Sequence, residues 1–120
     1  MSRKALLPFL LVATNAAAMA GEPGYRLRIE SSIQDSQLTV VPQLAAPAGA
    51  RLRYEIVSSK QGSAGKSNTS QSSSLSIGPE GSAKLSTLSV SIGPQDKYVI
   101  TVKVFEGAKL VAEEILRYPQ

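Results

Sequence analysis

The chain has 120 residues, room for one domain, with no Cys and no His and a formal charge of +4. The missing thiols and imidazoles exclude disulfides, thiolate chemistry and every triad or metal site built on them, so catalysis would rest on carboxylates, Lys or Ser alone. The positive charge is small and scattered, and without Trp to stack bases on it does not indicate a nucleic-acid binder.

The first twenty residues read apart from the rest. Arg3 and Lys4 form a short basic region, Ala5 to Ala13 an apolar run broken by Pro8, and Ala18-Met19-Ala20 a small-residue site before Gly21. This is the layout of a secretory signal peptide, with cleavage expected after Ala20, Ala18 the next choice, and residues 21–120 left as the domain. The apolar run falls short of the roughly 20 residues a membrane span requires, so no membrane anchor is expected in the mature form. Losing Arg3 and Lys4 takes the thirteen Lys and Arg to eleven against nine Asp and Glu, a mature net charge of +2.

Strands follow in order. Tyr25, Leu27 and Ile29 alternate with Arg26, Arg28 and Glu30, and Ser31 to Ser36 is expected to turn the chain. Leu38, Val40 and Leu44 mark a second strand that Pro42 should weaken or end, and Ala45 to Ala50 a loop between sheets. Leu52, Tyr54 and Ile56 alternate with Arg51, Arg53 and Glu55 in a third. From Ser58 to Ser74 the chain is almost wholly polar, the composition of a disordered segment or, the reading preferred, of a long loop feeding a polar edge strand from about Ser67 to Ile77. Leu88, Val90 and Ile92 form the fifth strand, with Leu85 out of phase and a bulge expected near Ser86 and Thr87.

The organising stretch is Asp96 to Phe105. Tyr98, Ile100, Val102 and Val104 share one face and Val99, Thr101, Lys103 and Phe105 the other, as in a half-buried central strand. Tyr98, just after the Gly93-Pro94 turn, is either an ordinary core tyrosine or one that turns its hydroxyl onto the preceding backbone as a tyrosine corner. Glu106-Gly107-Ala108 is a hairpin turn, and Lys109 to Tyr118 the last strand. Seven strands at this spacing predict an all-β fold, an immunoglobulin-like or fibronectin III-like antiparallel sandwich, with an antiparallel barrel the structural alternative.

Motifs for chemistry do not assemble. Glu113 and Glu114 are neighbours on a strand, so they point to opposite faces, cannot flank one bond, and are read as solvated edge charges. Gly65-Lys66-Ser67 ends like a phosphate-cradling loop, but the first glycine of that motif would be Lys60 and no helix follows. Asn68-Thr69-Ser70 is a glycosylation sequon on paper. No catalytic residue, metal site or cofactor is expected. What remains is surface: Arg26, Arg28, Arg51, Arg53 and Lys103 all take the outward phase, offset by Glu30 and Glu55. Such alternation either solvates the sheet or forms a basic stripe that attracts an acidic partner.

The block Leu52-Arg53-Tyr54-Glu55-Ile56-Val57-Ser58-Ser59-Lys60, followed by Gly62, Gly65, Ser67 and Ser70-Gln71-Ser72, resembles the CsgH branch of the CsgC-like curli chaperones. Asp96-x-Tyr98, Val111-Ala112-Glu113-Glu114 and Tyr118-Pro119 fit the same pattern. The resemblance implies a small monomeric immunoglobulin-like domain in the periplasm, not an enzyme, that keeps curli amyloid subunits from polymerising before export. The CsgC branch carries a Cys-x-Cys pair; its absence here excludes a redox role and leaves amyloid inhibition. Arg26, Arg28, Arg51, Arg53 and Lys103 are then the candidate partner-binding residues. Exposed ion pairs contribute about 0.2 to 1 kcal/mol each, so four or five imply micromolar or weaker, transient capture. Two other readings stand beside it: a structural or adhesive module of a surface assembly, and a glycan-binding sandwich, which lacks exposed aromatics.

Overall fold

Alternating apolar and polar residues become alternating buried and exposed positions along most of the chain. The structure, a computed structural model, describes residues 20–119. Among them are nine strands and no helix: β1 (Ala20–Gly21), β2 (Arg26–Gln34), β3 (Gln37–Ala45), β4 (Arg51–Gly62), β5 (Gly65–Ser76), β6 (Ser82–Lys84), β7 (Leu88–Ser91), β8 (Lys97–Glu106) and β9 (Lys109–Tyr118). The seven expected strands are β2, β3, β4, β5, β7, β8 and β9; the short β1 and β6 add to them. The expected signal peptide lies, but for Ala20, outside the described residues.

All pairings are antiparallel and fall into two sheets, so the architecture is a sandwich rather than a closed barrel. One sheet has the order β1-β9-β8-β4-β5; in the other β3 lies between β2 and the successive segments β6 and β7. Leu27, Ile29, Leu38, Val40, Leu44, Leu52, Tyr54, Ile56, Tyr98, Ile100, Val102, Val104 and Leu116 fill the space between them. β8 sits centrally in its sheet, and Ile100, Val102 and Val104 are fully buried.

Pro42 does not end β3, contrary to expectation. It is fully buried in mid-strand, opposite Ile29 of β2. Its carbonyl accepts the Leu85 N–H at 2.9 Å on the side away from β2, so its ring nitrogen points that way too. That is where β6 stops and β7 has not begun. Gln43 pairs Lys84 and Val40 pairs Leu88, leaving three residues, 85–87, opposite two on β3. The missing N–H thus falls where no ladder bond is required, a bulge-like site that tolerates proline. The extra residue also accounts for the phase of Leu85, which is buried although Leu88 and Val90 face the core in the opposite register.

Two turns are tighter than expected. β2 continues through Gln34, and the chain reverses at Asp35-Ser36 alone, both at positive φ (53° and 60°), as a two-residue hairpin turn of matching twist requires. The long polar loop is in fact a hairpin, in which β4 and β5 pair over twelve positions about a turn at Ser63-Ala64. The other sheet does not extend beneath its far end, so both faces of β5 are solvated and only Leu75 is half-buried.

Contacts of three side chains brace the sandwich and the turn before β8. The Tyr98 hydroxyl donates to the Ser91 carbonyl at 2.8 Å, the contact of the tyrosine corner and not of an ordinary core tyrosine. Tyr54 on β4 reaches across to Ser86, in the gap between β6 and β7, at 2.6 Å between hydroxyls. Asp96 accepts the Gly93 N–H at 2.8 Å and faces Lys60 at 3.5 Å, which holds the turn before β8.

Glu114 departs from its reading as a solvated charge. It pairs with the buried Val102 and takes the inward phase of β9, half-buried, with Oε1 shielded from water and without a hydrogen-bond partner. Burial pushes its carboxyl above the usual range, against a smaller opposing effect of the Ile115 backbone.

Candidate partner-binding face

The outward phase of the five-stranded sheet gathers most of the cations. Register places Arg51, Arg53 and Glu55 on β4 beside Ser76, Ser74 and Ser72 on β5. On the other side Phe105, Lys103 and Thr101 of β8 lie opposite Arg53, Glu55 and Val57, and Lys97 lies opposite Gln61. Lys66 on β5 also pairs with Gln61, while on β9 Glu113 faces Lys103 and Arg117 faces Val99. The face therefore carries six cations, Arg51, Arg53, Lys66, Lys97, Lys103 and Arg117, against two carboxylates, Glu55 and Glu113. From residue 21 onward the rest of the chain has five cations and seven carboxylates. The excess positive charge is thus confined to one side of the molecule.

Pairing within the face neutralises little of it. Arg53 Nη1 lies 2.6 Å from Glu55 Oε2, with the guanidinium 4.5 Å above the Phe105 ring. Among the described residues Arg51, Lys66, Lys97, Lys103 and Arg117 make no ion pair. Exposed Val57 and Val99 add an apolar strip, and Glu55, Val57, Thr101 and Lys103 line a shallow hollow at the centre. This is an open, flat, basic surface. It suits weak contact with an extended acidic chain.

Of the five basic residues expected to bind a partner, Arg51, Arg53 and Lys103 share this face. Arg26 and Arg28 do not: they take the outward phase of β2, in the other sheet, and Arg28 is bonded to Glu30 at 2.9 Å. Lys66, Lys97 and Arg117 were missed. Lys97 has the parity of Lys103 on the same strand and was legible from it; Lys66 lies on a strand with no alternation to give it a phase. For Arg117, the phase depends on the register shift at Val104/Phe105, where Val111 of β9 is the extra residue.

A family model described as thin aggregative fimbriae synthesis protein matches residues 23–115. Curli assembly protein CsgC of Escherichia coli O1:K1 is 28% identical over 96 residues, 80% of this chain and 87% of that protein. The Salmonella typhimurium CsgC is 35% identical over 72 residues, 60% of this chain and 67% of that protein. Among solved structures, the E. coli curli protein CsgC superposes with a TM-score of 0.65 at 27% identity, covering 80% of this chain and 99% of that one. The solution structure of R. palustris CsgH gives 0.58 at 16% identity, covering 73% and 87%, a likeness of fold.

Proposed function

The chain belongs to the CsgC family of thin aggregative fimbriae synthesis proteins and has a role in curli assembly, and from that premise we propose that it is a periplasmic chaperone that delays amyloid polymerisation of curli subunits. The observation that carries the proposal is the segregation of charge: one flat sheet face holds six cations and two carboxylates while the remainder of the mature chain is net acidic. An acidic, unfolded subunit is drawn to that face at long range and held there briefly.

The mature protein is a soluble monomer released by cleavage after Ala20, of the CsgH branch, and it acts without catalysis. Its sandwich is read as fibronectin III-like or immunoglobulin-like, supported by the Tyr98–Ser91 corner and by a sheet built on β2 and β3 packed against one built on β9, β8, β4 and β5. Arg51, Arg53 and Lys103, joined by Lys66, Lys97 and Arg117, carry the attraction, and Arg26 and Arg28 lie on the far side. The test is amyloid growth of a purified curli subunit with the mature protein at well below equimolar ratio. A lengthened lag is expected; an unchanged lag with folded protein rejects the function. A structural or adhesive module would instead associate stoichiometrically with itself or stay at the cell surface.

A further inference from the structure

Among the described residues β5 is paired on one side only, with β4. Its register with β4 runs unbroken from Arg51↔Ser76 to Gly62↔Gly65, so no bulge twists the open edge away. Gly65–Ser76 contains no proline and one charge, Lys66. The devices that ordinarily keep an exposed edge from pairing are largely missing.

The direction of the main-chain groups follows from the ladder. The Ile77 N–H donates to the Ala50 carbonyl at 2.9 Å and the Ile77 carbonyl accepts from Gly49 at 2.7 Å, so residue 77 turns toward the β4 side. Alternate residues of an antiparallel strand turn opposite ways. Lys66, Asn68, Ser70, Ser72, Ser74 and Ser76 therefore present their N–H and C=O groups to the open edge. Their side chains lie on the basic face, next to Arg51, Arg53 and Glu55.

We propose that this edge accepts an extended strand of a polar, acidic polypeptide, which adds to the five-stranded sheet beside β5. The inference rests on the chaperone reading above and names where the subunit is held. Strand addition draws affinity from the main chain and specificity from flanking side chains. Here those side chains are hydroxyls and amides with Arg and Lys behind them, and an apolar strand would find only half-buried Leu75. A second copy is the wrong occupant, since edge-to-edge pairing would set Arg51, Arg53 and Lys66 of two molecules together. A subunit strand hydrogen-bonded to β5 has one edge fewer for in-register stacking on its own kind.

Two measurements test this. Ser70→Pro with Ser72→Pro removes two edge-facing N–H groups while leaving the residues bonded to β4 intact, the position at which proline is tolerated in an edge strand. With this variant the lag should return to within about twofold of subunit alone, strand addition being lost. Amide exchange of the wild-type protein, with and without freshly purified subunit, covers the case in which the variant misfolds. Lys66, Asn68, Ser70, Ser72 and Ser74 should slow by about threefold or more, with Thr69 and Gln71 unchanged. If wild type delays polymerisation but the folded variant delays it equally, or if slowing falls only on β8 and β9, the edge is not the site and the chaperone reading survives. If wild type causes no delay, both fail. A wild-type dimer that the variant abolishes makes a second copy the occupant and overturns the proposal.

Discussion

Tyr98 does two jobs with one side chain: its ring packs in the core, and its hydroxyl ties β8 to the last residue of β7 in the opposite sheet. Tyr98→Phe keeps the first and removes the second, leaving the Ser91 carbonyl without its donor. A loss of about 1 kcal/mol is expected, read as a lowered urea midpoint with an unchanged slope. Glu114 acts in the other direction. Because burial raises its carboxyl pKa, the folded state holds the proton more tightly than the unfolded chain. Stability from this group is full below the unfolded value and is lost as pH rises through the folded one. Glu114→Gln should therefore melt higher than wild type at pH 7, and the advantage should vanish below about pH 4, where both forms are neutral. Thermal melts at the two pH values decide it.

At the scale of elements, what could be read in advance was whatever one solvated face made periodic. β2, β4 and β8 alternate in the sequence as they alternate in burial, and the phase break at Leu85 announced an irregularity that the structure places at residues 85–87. β5 was the hardest element because neither of its faces is buried, so Ser, Thr, Asn and Gln fill it from Ser67 to Ser74 and hydropathy carries no phase. Pro42 misled for a related reason: its effect depends on the gap between β6 and β7, a partner more than forty residues away that local pattern does not reveal. Glu114 likewise owes its environment to the sheet packed across from β9. The ladder makes its own prediction for β5. In the free protein the amides of Thr69, Gln71 and Ser73 should be protected from exchange and those of Asn68, Ser70 and Ser72 should not. Uniform exchange along the strand would mean that the hairpin is not held in this register.

For the whole molecule, the sandwich turns a scattered list of charges into two unlike surfaces. Arg26 and Arg28 had the same outward phase as Arg51 and Arg53, and nothing in a linear pattern says which strands share a sheet. Strand order separates them, with β2 at the edge of one sheet and β4 inside the other. The separation is testable by charge reversal. Arg51→Glu with Arg53→Glu leaves four cations against four carboxylates on the face, and capture of the subunit should slow by about tenfold. The same reversal at Arg26 and Arg28 should change it by less than about twofold. Equal effects would mean that net charge, and not this face, governs the encounter. The most direct test of the account is the lag of curli subunit polymerisation with and without the mature protein, compared at 0.1 M and 1 M salt, where the screening length falls from about 10 Å to about 3 Å. The ratio of the two lags should be large at low salt and approach unity at high salt while the protein remains folded. A ratio that holds constant across that range would contradict electrostatic capture by the basic sheet face.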